Sequence, residues 1–203
     1  CSSDLYGSMK GKIVKDCADI DKIVAELKDA KIDSSVSGVS PKDVKKYDNG
    51  KDVTVAVIDC GTRSGLYDVL SSRFNVIRFP YDASAKDIKE SGAQGLVVSS
   101  GPGNPNAPEL KITIETISKL TKCMPTMGIA LGCDLIALAF GAKVVPMKFG
   151  HHGCNHPVKN LETGRVYITS QNHGYAVVAE SLDKNVAKEL FVNGNDKTNE
   201  GLR

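Results

Sequence analysis

This 203-residue chain has no apolar run near the length of a membrane span, and no dense block of Lys and Arg. The first absence argues against a membrane partner. The second, with a formal net charge of only +2, leaves no electrostatic footprint for nucleic acid. Cysteine is present at six positions (Cys1, Cys17, Cys60, Cys123, Cys133 and Cys154) but never with Cys-x-x-Cys spacing. The six therefore read as reduced thiols of an intracellular, cytoplasmic protein, not as a disulfide framework. There is no internal repeat, no low-complexity tract and no secretory signal. An initiator Met is also missing ahead of Cys1, so the chain reads as a piece of something longer. What remains, 41% hydrophobic and 25% charged residues, is the composition of an ordinary globular domain with some additional chain.

From about residue 53 the pattern alternates strand and helix. Thr54 to Asp59 is a near-continuous apolar strand; Leu66, Val69 and Leu70 make one helical face; Asn75 to Phe79 is a second strand. Ser84 caps a short helix with Asp87 at its third position, where a carboxylate meets the positive end of the helix dipole. Gly95 to Ser99 is a buried strand, followed by a helix with Leu110, Ile114 and Ile117 on one stripe. Strands apolar on both faces and separated by helices predict an α/β fold, a mostly parallel sheet with helices on both sides. After Gly141 the pattern changes to short strands at 143–145, 166–169, 176–178 and 190–192, an antiparallel flap. Residues 1–50 carry one amphipathic helix (Ile20, Ile23, Val24, Leu27) and then a polar stretch in which Lys42 to Lys46 reads as solvated linker.

The chemistry concentrates in three segments. Gly128-Ile129-Ala130-Leu131-Gly132 has the frame of a nucleophile elbow, a sharp strand-to-helix turn whose central residue is strained and whose neighbours must lack bulk. The strand side runs from Met124 to Ile129, and the helix side is the apolar run Leu135 to Phe140, stopped by Gly141. Ala130 occupies the apex, at the mouth of a helix where the dipole would favour a thiolate, and it has nothing to ionise. Ser100-Gly101-Pro102-Gly103 follows the strand at 95–99, and its backbone N–H groups suit an oxyanion. Gln171-Asn172-His173-Gly174-Tyr175 sits between two predicted strands, as a binding loop would.

Together with Met147 to Val158, Ile168 to Tyr175 and the run Phe191 to Gly201, these segments make residues 53–203 resemble the class I glutamine amidotransferase domain of carbamoyl phosphate synthetase. The last of these runs is similar to the fused multidomain eukaryotic forms, and residues 1–50 resemble the end of the small N-terminal domain of that subunit. The resemblance implies a flavodoxin-like fold and a Cys–His–Glu glutaminase, which passes ammonia to a large synthetase subunit or fused synthetase domain. That partner makes carbamoyl phosphate from bicarbonate with ATP and Mg, for pyrimidine or arginine biosynthesis or, in a mitochondrial form, the urea cycle. The amidotransferase domain itself carries no cofactor. Carried over, Gly101, Gly103 and the Leu131 N–H would serve glutamine and the oxyanion, while Asn172, Gly174 and Tyr175 would hold the amino-acid end.

The departures are as informative. By the same resemblance Ala130 replaces the nucleophilic cysteine, and Cys133-Asp134 stands where His-Gln is usual. Asp134 then offers acceptors and a negative charge where an amide recognises glutamine. The family's His-Pro-x-Glu, source of the base, lies beyond Arg203, so the domain reads as truncated before it. Cys133, about one turn beyond the apex, reads as a small core residue and not a substitute nucleophile. His151, His152 and His156 read as part of a structural loop, with no metal expected, and His173 as part of a binding loop and not a base. Three readings stay open: a synthetase amidotransferase domain that has lost glutamine hydrolysis, a standard one carrying a disabling substitution, and a non-enzymatic interaction module that keeps the fold.

Overall fold

The structure, a computed structural model, describes residues 11–15, 19–30 and 35–203. Cys1 and Cys17 lie outside them. The other four cysteines are free, Cys60 buried, Cys123 and Cys154 exposed and Cys133 in between.

A five-stranded sheet organises the first part of the chain: β1 (Lys45–Tyr47), β2 (Thr54–Asp59), β3 (Asn75–Pro80), β4 (Gly95–Val98) and β5 (Thr126–Gly128), in the order β1-β3-β2-β4-β5. All neighbours are parallel except β1, which runs antiparallel to β3. Side chains alternate across the pleat, so Ala56, Ile58, Leu96 and Val98 enter one core while Val55, Val57 and Val97 enter another. Burial on both faces is what makes these strands read as continuous apolar runs.

Five α-helices lie among the described residues: α1 (Ile20–Asp29), α2 (Gly65–Ser71), α3 (Ala85–Glu90), α4 (Lys111–Leu120) and α5 (Leu131–Ala139). Leu70 of α2 packs on one face of the sheet. Ile88 of α3, Ile117 and Leu120 of α4, and Leu131 and Leu135 of α5 pack on the other, each contributing about 1.5–3 kcal/mol by burial. The Ser84 Oγ accepts the Asp87 N–H at 3.1 Å, as the capping pattern predicts. Of the three residues expected on the inner face of α2, Leu66 and Leu70, four apart, pack there, while Val69 is exposed.

The segment expected to be linker does more than connect. Val36 is buried in the main core, Ser40 Oγ donates to the Asp59 carbonyl at 2.6 Å, and Lys45–Tyr47 adds the edge strand β1. Its polar composition hid this because an edge strand needs only backbone pairing, and its lysines stay in solvent. The helix α1 forms where the periodicity places it, but none of its residues is buried.

A second, four-stranded antiparallel sheet follows: β6 (Val144–Asn160), β7 (Val166–Val177), β8 (Glu189–Asn193) and β9 (Asn199–Leu202), in the order β7-β6-β8-β9. The strands expected at 143–145, 166–169 and 176–178 are here parts of two long ones, β6 and β7, while that at 190–192 is β8. Register shifts between Pro146 and His151 and between Gly153 and His156 let β6 continue through residues that read as turns. His151–His156 and Gln171–Tyr175 are accordingly strand, not loop, and they pair with each other, His151 opposite His173 and His152 opposite Asn172.

Candidate active site at the elbow

The carboxyl ends of β2, β4 and β5 share one edge of the parallel sheet, where open α/β sheets place their ligand sites. β5 ends at Gly128, and Ala130 caps α5 with φ 49° and ψ −114°, a backbone region an L-residue adopts only under strain. The turn is held by a hydrogen bond from the Ile129 N–H to the Val98 carbonyl, and by the Cys133 N–H donating to the Ala130 carbonyl at 2.8 Å. Gly132 lies so close to β4 that a Cβ there would overlap the Val98 carbonyl. A Cβ at Gly128 would stand 2.6 Å from the Cys133 nitrogen. These two glycines are required by contact, not by dihedral freedom.

The loop after β4 packs just as closely. A Cβ on Gly101 would overlap the Cys60 carbonyl and stand 2.9 Å from Leu131 Cδ2, and Gly103 has φ 92°. Ser99 Oγ accepts the Cys60 N–H and donates to the Ser100 carbonyl, tying the β2 and β4 loops together. Asp59 accepts from Gly61 N–H, Thr62 N–H and the Tyr67 hydroxyl, which fixes the β2 loop beside them.

The elbow faces a cavity of about 810 Å³ between α5 and the second sheet, lined by Ala130, Cys133, Asp134, Asn172, His173 and Tyr175 among others. Four of the expected site residues, Ala130, Asp134, Asn172 and Tyr175, thus share one cavity. Gly101, Gly103, Leu131 and Gly174 are not part of its lining; Gly101 instead abuts Leu131, which is itself buried. Cys133 does line it, but burial and the neighbouring Asp134 push its thiol up to about 11, so no thiolate forms near neutrality. Burial raises Asp134 to about 7, against a small opposing effect of His173. The same burial that disfavours the carboxylate favours the protonated form, which donates as well as accepts.

One further acidic group was not anticipated. Glu200, on β9, stands 2.9 Å from His151 Nδ1 and 3.3 Å from His173 Nε2. The hydrogen bond to Glu200 raises the His173 pKa, with burial opposing. Glu200 itself is held below the ordinary carboxylate range: burial opposes this, but bonds from His173 and Asn193 outweigh it. The three histidines of the segment read as a structural loop have different partners. His151 joins His173 and Glu200, His152 Nδ1 faces Asn172 Oδ1 at 2.8 Å, and His156 only stacks beside His151.

Residues 56–203 match the family described as Glutamine amidotransferase class-I. The chain belongs to that family. It is 42% identical over 202 residues to the carbamoyl phosphate synthase small chain of Archaeoglobus fulgidus, covering 98% of this chain and 56% of the relative. It is 42% identical over 201 residues to the small chain of Bacillus cereus, covering 98% and 54%. The chain thus spans about half the length of the curated relatives it matches. A glutamine amidotransferase from Thermotoga maritima has the same fold, with TM-score 0.58 at 20% identity over 74% of this chain and 71% of that one. For this amidotransferase domain the sequence signal that could have revealed Glu200 is the β6–β7 pairing. Only that register brings His151 to His173, and only β9 behind β8 brings the carboxylate to both.

Proposed function

We propose that this chain is the amidotransferase domain of a carbamoyl phosphate synthase small chain in which hydrolysis of glutamine has been lost. On this reading it binds a glutamine-like small molecule and docks on a large synthetase subunit, or fused synthetase domain, which uses ATP and Mg. The observation that carries the reading is Ala130 at a strained elbow apex, facing the cavity that Asp134, Asn172 and Tyr175 line. By resemblance the apex is the place of the family's cysteine, and a methyl group cannot attack an amide carbon. Cys133 is a poor replacement because its thiol is protonated and it lies a turn into α5. The role is then to gate or accompany ammonia use in pyrimidine or arginine biosynthesis or the urea cycle.

Loss of a nucleophile from a unit of this kind costs on the order of 10⁶ in rate. A coupled ammonia-release assay with glutamine is expected to give background only, while the full-length protein makes carbamoyl phosphate from free ammonia. Glutamine turnover above that background would overturn the reading, and its abolition by thiol alkylation would place the nucleophile at Cys133. Failure to use ammonia in the full-length protein would instead favour an interaction module.

A further inference from the structure

The cluster behind the cavity holds more hydrogen-bond acceptors than protons. The Tyr175 carbonyl, which can only accept, lies 2.9 Å from His173 Nδ1, so that nitrogen carries a proton. Asp196 Oδ2 lies 2.8 Å from His151 Nε2 and fixes the proton of the second ring there. In their neutral forms the rings then turn two bare lone pairs, on His151 Nδ1 and His173 Nε2, toward each other at 3.2 Å. Glu200 presents its carboxylate to both, at 2.9 Å and 3.3 Å. Asn193 relieves only part of this. Its amide orientation is set by the Asn195 N–H bonded to its Oδ1, and its Nδ2 donates to Glu200 Oε1 at 3.0 Å but reaches His151 Nδ1 only at 3.4 Å. Gln171 Oε1, 3.4 Å from His173 Nε2, adds another oxygen.

Such a convergence calls for a cation. Ligands about 2.0–2.2 Å from a tetrahedral Zn²⁺ are separated by about 3.3–3.6 Å, and the three separations here, 2.9, 3.2 and 3.3 Å, reach that with an opening of a few tenths of an ångström. The outer contacts also match: a ligating histidine gives its other N–H to a carboxylate or a backbone carbonyl, as His151 does to Asp196 and His173 to Tyr175. We propose that His151 Nδ1, His173 Nε2 and the Glu200 carboxylate bind one divalent first-row transition metal ion of the Zn²⁺ type. His151 and Glu200 are almost fully buried, whereas His173 and Glu200 also line the cavity. Three protein ligands and an opening toward the cavity leave the fourth position to water or to a carboxylate or amine of a small molecule. Protonation of His173 against Glu200 is the competing way to satisfy the cluster, so proton and metal exclude each other and binding weakens with acid.

The test is Zn²⁺ titration of chelator-stripped, full-length protein by calorimetry with metal analysis after dialysis. One equivalent is expected, with affinity falling about 100-fold or more in Glu200→Gln and in His151→Ala, and unchanged in a Cys123→Ser/Cys154→Ser double variant. Circular dichroism checks that the variants fold. Should they not, anomalous diffraction from Zn²⁺-soaked crystals of the unmodified protein still decides, since the ion must lie on the three atoms. Binding lost with the exposed thiols, no tight equivalent, or a His173 ring that NMR finds doubly protonated at saturating Zn²⁺ and pH 7.5 would overturn the proposal. None of these readouts uses catalysis, so their failure leaves the reading of Ala130 untouched.

Discussion

Ala130 carries a positive φ without being glycine, and the strain it stores is of order 1–3 kcal/mol. Ala130→Gly removes that strain at an entropic cost of about 0.5–1 kcal/mol. Urea denaturation is therefore expected to show Ala130→Gly unchanged or stabilised by up to about 2 kcal/mol, the reverse of the usual effect of glycine. A loss beyond 1 kcal/mol would mean the elbow is relaxed. Asp134 offers a second measurement. Its folded pKa of about 7 lies above the ordinary aspartate value of 3.8, chiefly through burial, so the native state binds more protons than the unfolded chain between those limits. Stability from this group is intact below about pH 4 and is lost as pH rises through 7, by up to about 4 kcal/mol. Asp134→Asn should thus gain on the parent at pH 8 and lose that advantage toward pH 4, in chelator throughout. An advantage independent of pH would show that the carboxyl is ionised and solvated.

At the scale of elements, the strand-to-helix junction depends on two glycines that touch backbone. The side chain in Gly132→Val must displace the Val98 carbonyl, pulling β4 from α5, and a loss of more than about 3 kcal/mol or outright failure to fold is expected. Gly141, with φ 83° and open space around a notional Cβ, tests the contrast. Gly141→Ala should cost only its backbone strain, about 1 kcal/mol. Thermal melts of the two variants check this, and equal losses would remove the close-approach argument. This junction was legible in the sequence because Gly-x-Ala-x-Gly between two apolar runs has few other uses. The parallel strands were legible for the same reason, being apolar without interruption. The second sheet was not. In β6 and β7 proline, glycine and histidine interrupt the alternation, and the bulges that absorb them depend on a partner strand far along the chain. Reading Gln171–Tyr175 as a loop followed from that, as did missing Glu200, whose place is set by β8 and β9 together.

On the scale of the whole molecule, the cavity belongs to neither sheet alone. α5 joins them, since Ala137 on its far face packs with Ala142 and with Val144 and Val177 of the second sheet, while Leu131 and Leu135 belong to the first core. A nucleophile placed at the apex must therefore be matched across the cavity. In the full-length protein Ala130→Cys supplies, on the proposed reading, a nucleophile but leaves Cys133 and Asp134 beside it, one a protonated thiol and the other a carboxyl that burial holds well above the ordinary carboxylate range. On the proposed reading this single change should recover less than about a hundredth of the glutamine-dependent synthesis gained when Cys133→His and Asp134→Gln are added. Residues that act as one unit respond far from additively, and the two side chains lie on one turn of α5, within coupling distance of the apex. Ammonia-dependent synthesis should hold steady across the series, because these substitutions leave the cores of both sheets intact. If Ala130→Cys alone gave full glutamine-dependent synthesis, the cavity would already recognise glutamine as built, and the substitution at the apex would be the domain's only defect.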